Sequence, residues 1–294
     1  MPSNICILWP TSPIIPITRC ILLTLPVDCI VNVLKAVCLL SDDKDRARDY
    51  WNNMENRGIS VILFDLDNTL VDTAGAGKVA IHKVSELLKN KLDHANISDI
   101  CERFVRKLFE ETFDPSSGQT IDRFRINHWH EAIQEAEAVD PGQSLASDCY
   151  YTWKTTRLQA LALSPEVLAL LEDLRCSYKL LLLTNGDSQT QREKIEALRC
   201  EGLFSAVVVG GEHDEQKPAA PIFTHCFELL GVKPQDCIMV GDSLDTDIQG
   251  GYNAGVRATV WINKRGEFPS DNTVTPDYTI SSVLDLPKVL DNLR

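Results

Sequence analysis

Residues 59–73 read Ile59-Ser60-Val61-Ile62-Leu63-Phe64-Asp65-Leu66-Asp67-Asn68-Thr69-Leu70-Val71-Asp72-Thr73. Ile59–Phe64 is a short β-rich run, apolar on both faces, the pattern of a parallel strand covered by helices on either side. At its end Asp65 and Asp67 stand two residues apart, so on an extended chain they share a face. Two carboxylates placed that way repel each other unless a cation or a shared proton relieves them. A pair of solvated turn acids is the plainer alternative, and the rest of the chain decides between the two.

Working outward, similar runs occur at Lys179–Leu183, Ala206–Val209, Cys237–Val240 and Ala258–Ile262, with a weaker one at Asp277–Ser281. Helical patterns separate them: Ser188–Arg199, Pro221–Leu230 ended by Gly231, and a third from Asp245 or Thr246 to Gly255. Alternating strands and helices predict an α/β fold with a doubly wound, Rossmann-like parallel sheet. One interval breaks the alternation. After the first strand come four helical stretches, Lys78–Leu92, Ile97–Phe113, Ile121–Ala138 and Leu145–Leu161, joined by turn sequences such as Asp114-Pro115-Ser116-Ser117-Gly118 and Asp140-Pro141-Gly142. The expectation is an inserted four-helix cap domain at 74–165, with a catalytic core formed by 59–73 and 166–294.

Residues 1–58 differ from the rest and are expected to be a weakly ordered extension. Ile21–Leu40 has the length of a membrane span, but Pro26, Asp28, Asn32 and Lys35 interrupt it. A central Asp or Lys each opposes insertion by roughly 2.5–3.5 kcal/mol, so no stable membrane association is expected. Met54 lies just ahead of the first strand, and the functional part is expected to begin near it.

Over 294 residues, 29 Lys and Arg against 42 Asp and Glu leave a formal charge of −13. Such a surface repels phosphate backbones, which argues against nucleic-acid binding. A small anionic substrate meets the same repulsion unless a metal ion or local cations offset it. The ten cysteines are scattered, without a Cys-x-x-Cys pair, and several lie in apolar runs. They read as reduced thiols of a cytoplasmic protein.

Carboxyl ends of parallel strands are where such sheets bind ligands. The second strand ends Leu183-Thr184-Asn185-Gly186-Asp187, Lys217-Pro218 follows the third, and the fourth runs into Gly241-Asp242-Ser243-Leu244-Asp245-Thr246-Asp247. Alone, Lys217 is a surface lysine and Thr184 a helix cap; together with the Asp65/Asp67 pair they converge on one sheet edge.

This ordered set resembles the haloacid dehalogenase superfamily, over about residues 59–290. The resemblance implies a small-molecule phosphatase with Mg²⁺ as cofactor and Asp65 as nucleophile, forming an aspartyl-phosphate. Asp67 would protonate the leaving oxygen and then activate water. The metal would be held by Asp65, the Asp67 carbonyl and Asp242, with Asp247 a second choice. The phosphoryl oxygens would be held by Leu66, Asp67, Thr184, Asn185 and Lys217. Asp65 and burial favour a protonated Asp67 while a metal opposes it, so the sign of its pKa shift stays open.

The likeness continues through NHWHEAIQEA (127–136) and WKTTRLQ (153–159) in the cap and points to a sugar-phosphate substrate. Trp153, Lys154 and Arg157 fall within about one helical turn, and His128 and His130 flank Trp129. An arginine suits a sugar acid's carboxylate; a packed Trp with solvated charges around it is the bland reading. A phosphomutase is the competing enzyme class. A sugar-phosphate binder would be expected to lack Asp65, Asp67, Lys217 or Asp242, all of which are present, and a dehalogenase would lack the second aspartate.

Overall fold

The computed structural model describes residues 58–93, 96–137, 140–264, 266 and 274–293. The expected extension, with Ile21–Leu40 and Met54, therefore lies outside the described residues.

β1 (Val61–Phe64) is followed by α1 (Thr73–Lys89), α2 (Ile97–Phe109), α3 (Ile121–Glu137), α4 (Gly142–Ala160) and α5 (Pro165–Leu174). The alternating part then runs β2 (Lys179–Thr184), α6 (Ser188–Leu198), β3 (Ala206–Val209), α7 (Ala220–Leu230) and β4 (Cys237–Gly241). It ends with α8 (Gln249–Ala254), β5 (Ala258–Ile262), β6 (Tyr278–Ile280) and α9 (Leu286–Asn292). All strand pairs are parallel, and the sheet order is β3-β2-β1-β4-β5-β6. That is the doubly wound order, with β1 at the centre of the crevice where the chain reverses direction across the sheet.

Strand alternation sorts the core into two layers. Ile62, Phe64, Leu180, Leu182, Ile238 and Val240 face one side, where α5 and α9 cover them with Leu171, Leu174, Leu286 and Leu290. Val61, Leu63, Leu181, Leu183, Cys237 and Met239 face the other, under Ile222, Phe223, Cys226 and Phe227 of α7. A strand buried on both faces must read as a continuous apolar run, which is why these strands are legible in the sequence.

α1–α4 gather around a separate apolar cluster: Ala80, Val84 and Leu88 of α1, Ile100 and Phe104 of α2, Trp129 and Ile133 of α3, and Tyr150 and Trp153 of α4. Phe104 stacks on Trp129 at 3.8 Å and meets the edge of Trp153 at 5.3 Å. α1 starts five residues before the expected Lys78, because Asp72 caps it by accepting from Gly75 N. Its first turn still belongs to the sheet layer, through Ala76.

α5 has no counterpart among the expected helices. Ser164 caps it, Pro165 opens it, and Val167, Leu171 and Leu174 pack on the sheet. Among the described residues no helix is long and apolar enough to cross a membrane.

Candidate active site

The central strands end level with one another: Phe64 pairs with Leu182 of β2 and Val240 of β4, and Asp65 N donates to Val240 O at 3.0 Å. This places Asp65 between the ends of two neighbours. Beyond it the chain reverses tightly. Leu70 N and Val71 N both donate to Leu66 O, and Asn68 adopts a left-handed φ of 59°, which asparagine tolerates better than most residues.

Lys217 is the hub of the site. It is 4% exposed, and its Nζ donates to Asp65 Oδ1 at 2.8 Å, Asp247 Oδ1 at 2.7 Å and Leu183 O at 2.8 Å. An ammonium has three protons, so these bonds use all of them. Asn185 fixes the lysine's own peptide from both sides, donating through Nδ2 to Lys217 O at 2.8 Å and accepting from Lys217 N at 3.0 Å. The expected phosphoryl ligands Lys217 and Asn185 thus spend their side chains on building the site. The Thr184 hydroxyl, expected in the same role, is buried with no hydrogen-bond partner among the described residues.

After β4 the chain makes a π-helical turn, Leu244–Ile248, which brings Asp247 back under the strand end. Its Oδ2 accepts from Ser243 N at 3.1 Å. The approach is so close that a Cβ on Gly241 would lie 2.1 Å from Asp247 Oδ2. Asp242 is steadied from behind by Trp261, whose Nε1 donates to Asp242 O at 2.8 Å.

Asp65, Asp242 and Asp247 bring carboxylate oxygens within 4.8 Å of one another. One ammonium, Lys217, sits among these three carboxylates, leaving an excess of two negative charges in a largely buried place. Burial, reinforced by Asp247 and Asp67 and opposed by Lys217, pushes Asp65 up to about 7. Burial and Asp247, against Lys264 and Lys217, raise Asp242 to about 6. Asp65 and Asp247 push Lys217 upward against its burial. Across the Lys217–Asp65 pair, then, the lysine is held more firmly in its charged form and the aspartate less firmly. The excess of carboxylates explains both: the lysine is well served, and each acid is only partly served. Three hard oxygen donors with an uncompensated charge of two match a divalent cation such as Mg²⁺.

Asp67 lies on the other side of the crevice and is held by residues that the sequence reading missed. Lys194 of α6 donates to both of its oxygens at 2.8 and 2.7 Å, Gln191 Nε2 to Oδ2 at 3.0 Å, and the Thr73 hydroxyl to Oδ1. Burial alone would raise Asp67, but Lys194, helped by Thr73 and Gln191, outweighs it and holds the acid at about 2. With donors on both of its oxygens, Asp67 is a carboxylate in this arrangement. Gln191 and Lys194, three residues apart on one helix face, were the available signal.

Of the cap candidates, Trp129 and Trp153 are core. Lys154 spans to Asp122 at 2.8 Å and to Glu193 of α6 at 2.7 Å, and His130 points to Asp140 at 3.0 Å. His128 Nε2 lies 3.6 Å from Glu111, whose carboxylate also takes Arg125; Arg125 in turn reaches Thr190 of α6 at 2.9 Å. Arg157 lies over the Trp153 ring at 5.2 Å. A cavity of about 820 Å³ opens beside Thr73, Arg125 and Arg157 and runs between α1 and α2 past Ile81, Val105 and Leu108.

Residues 62–261 match the family model of haloacid dehalogenase-like hydrolases. The chain is similar to the N-acylneuraminate-9-phosphatases of Mus musculus and Homo sapiens, each 51% identical over 236 residues, covering 80% of this chain and 95% of the relative. In structure it is similar to a 2-haloacid dehalogenase from Pseudomonas syringae, with a TM-score of 0.58 and 28% identity over 80% of this chain and all of that one. The sheet order, the strand-end aspartates, the buried lysine and these matches agree: the chain belongs to the haloacid dehalogenase-like hydrolase family.

Proposed function

We propose that this protein is a Mg²⁺-dependent phosphomonoesterase that removes the 9-phosphate of an N-acylneuraminate, the dephosphorylation that ends the synthesis of a free sialic acid. The observation that carries the chemistry is the Asp65–Lys217–Asp247–Asp242 cluster, with its excess of two negative charges beside a nucleophile already held in place. The substrate rests on the length of the match to N-acylneuraminate-9-phosphatases. An alignment of 236 residues is too long for the core alone and must run through α1–α4, the part we assign as the substrate-selecting cap.

In the proposed reaction Asp65 attacks phosphorus through the oxygen that Lys217 leaves uncovered, and the phosphorus bond to the sugar oxygen breaks. The departing alkoxide takes a proton from Asp67; water then attacks the aspartyl-phosphate, returns a proton to Asp67 and frees phosphate and Asp65. The carboxylate form in which Lys194 holds Asp67 suits the second half; the first half needs that grip to loosen as the substrate enters. Thr184 and the main chain of Leu66 and Asp67 would hold phosphoryl oxygens, with Lys217 and Asn185 keeping the edge in shape. Asp65, Asp242 and the Asp67 carbonyl would hold the metal, with Asp247 bracing them. A bound Mg²⁺ would supply the two missing positive charges and screen the phosphoryl oxygens from the carboxylates.

On this reading the protein works in the cytoplasm, as a partner of small molecules rather than of nucleic acid. In support, the six described cysteines are all unpaired and five are buried. The test is phosphate release over a panel of sugar phosphates with Mg²⁺ and with excess chelator. N-acylneuraminate 9-phosphate should be turned over best, and only with the metal. Undiminished release in chelator would remove the metal from the mechanism, and preference for a neutral sugar phosphate would remove the substrate. Release that waits on a sugar bisphosphate would favour the phosphomutase.

A further inference from the structure

Two exposed lysines, Lys78 and Lys89, lie along the outer wall of the cap cavity, and of the less exposed cations at its inner end all but one are held by partners among the described residues. Arg125 is spent on Glu111 and Thr190, Lys154 on Asp122 and Glu193, and Lys194 on both oxygens of Asp67. Arg157 packs its guanidinium on Trp153 and faces the cavity, yet makes no ion pair or hydrogen bond with any described residue. A lysine in that position could shed its proton; a guanidinium stays charged. Burial disfavours its charge and Arg125 adds to this, while the more distant carboxylates of Asp67 and Glu111 only partly offset them. A fixed, partly desolvated cation over an aromatic face is a receptor for an anion, and its planar fork suits a carboxylate's two oxygens.

The position of Arg157 says which part of a substrate that anion belongs to. The phosphoryl end is defined by Asp65, Lys217 and Thr184 at the strand ends. Arg157, on α4, shares a small cavity with Lys194, the lysine that grips Asp67, and interacts electrostatically with Asp67 itself, on the leaving-group side where the larger cavity departs between α1 and α2. We propose that Arg157 is a specificity-determining residue that binds a carboxylate on the organic part of the substrate, making this site select phosphomonoesters of sugar acids over neutral sugar phosphates. This rests on the substrate reading above and assigns to one side chain the discrimination that it needs.

The experiment compares kcat/KM for N-acylneuraminate 9-phosphate and for the same molecule with its C1 carboxylate converted to a primary amide. Wild type, Arg157→Met and Arg157→Lys are assayed with saturating Mg²⁺, and the melting temperature of each is recorded. Wild type should prefer the acid at least tenfold. Arg157→Met should lose about thirtyfold or more on the acid, mostly in KM, and less than threefold on the amide. Arg157→Lys, a charge without the fork, should fall between, and it carries the comparison if the Met variant fails to fold. Equal losses on both substrates would assign Arg157 to the phosphoryl group or to the fold and overturn the proposal. A Met variant that keeps the wild-type preference overturns it too, while leaving the substrate reading intact. A wild type that does not prefer the acid over its amide overturns the proposal, while the substrate reading still stands or falls on the sugar-phosphate panel.

Discussion

Replacing the nucleophile should make the metal-free protein more stable while it destroys turnover. Asp65 titrates at about 7 in the folded chain against 3.8 for an ordinary aspartate. Between those values the folded state holds the proton more firmly than the unfolded one, so rising pH removes stability. Below 3.8 the group contributes nothing, and above 7 the whole cost is present. At roughly 1.4 kcal/mol per pH unit that cost is about 4 kcal/mol. Asp242, raised to about 6, adds a slope of the same sign. Asp65→Asn removes the buried charge and keeps the shape, and its amide oxygen can still accept from Lys217. It gives up the charge on that bond, so the net gain should be near half, ~2 kcal/mol. For a folded unit of this size that is roughly 4–8 °C in melting temperature. In excess chelator at pH 8 the Asn variant should therefore melt above wild type, with the difference shrinking toward pH 5. Saturating Mg²⁺ should reverse the order, because wild type binds the ion more tightly and gains by mass action. Phosphate release should fall by at least about a thousandfold, consistent with loss of an attacking group. An Asn variant that melts below wild type at pH 8 in chelator, with the same pH dependence, would refute the charge-excess account of the site.

Other consequences can be checked with the same assays. Lys194→Met should free Asp67 to rise from about 2. Because Lys194's own pKa is lowered by burial, part of the pair's worth is cancelled, and the loss should be about 1–2 kcal/mol by denaturant unfolding. That loss should be complete above about pH 4 and fade only as pH falls through about 2, where Asp67 takes up its proton in wild type; a gap that does not shrink between about pH 5 and pH 2 would place it in packing instead. Gly241→Ala must push Asp247 off Lys217, and should lower phosphate release a hundredfold or more, whereas Gly202→Ala, with nothing within 4 Å of the added carbon, should behave as wild type. A chain starting at Met54 should match the full chain in kcat/KM and melting temperature, since every site residue lies within Gly58–Arg294; a truncated chain several-fold less active would give the extension a role in the site.

Legibility in the sequence followed the direction each side chain faces. The strands could be read because burial on both faces leaves only apolar residues, and the converging edge because Asp65, Thr184 and Asp242 stand at the ends of apolar runs and Lys217 lies in the loop after another. Lys194 and Gln191 could not be read that way. α6 reads Ser-Gln-Thr-Gln-Arg-Glu-Lys-Ile-Glu-Ala-Leu, polar almost all round, the usual mark of a solvated helix. Its inner face is polar for another reason: it looks onto the Asp67 carboxylate, and hydrophobic periodicity cannot distinguish a charged site from water. The same ambiguity divided the Trp153–Arg157 cluster. Trp153 is core, as its spacing suggests, while Arg157, one turn on, is directed by that packing into the cavity. Lys217 and Asn185 show a different limit. Their residue types suggested contact with phosphate, but a strand edge carrying three close carboxylates first has to be held together. The lysine's three protons go to Asp65, Asp247 and Leu183, and Asn185 is needed to hold the lysine's loop. The position of a motif residue could be read from the order of strands. What its polar atoms touch could not, because that depends on the charge of neighbours far away in the chain: Asp247 is 30 residues from Lys217, and Asp65 is 152.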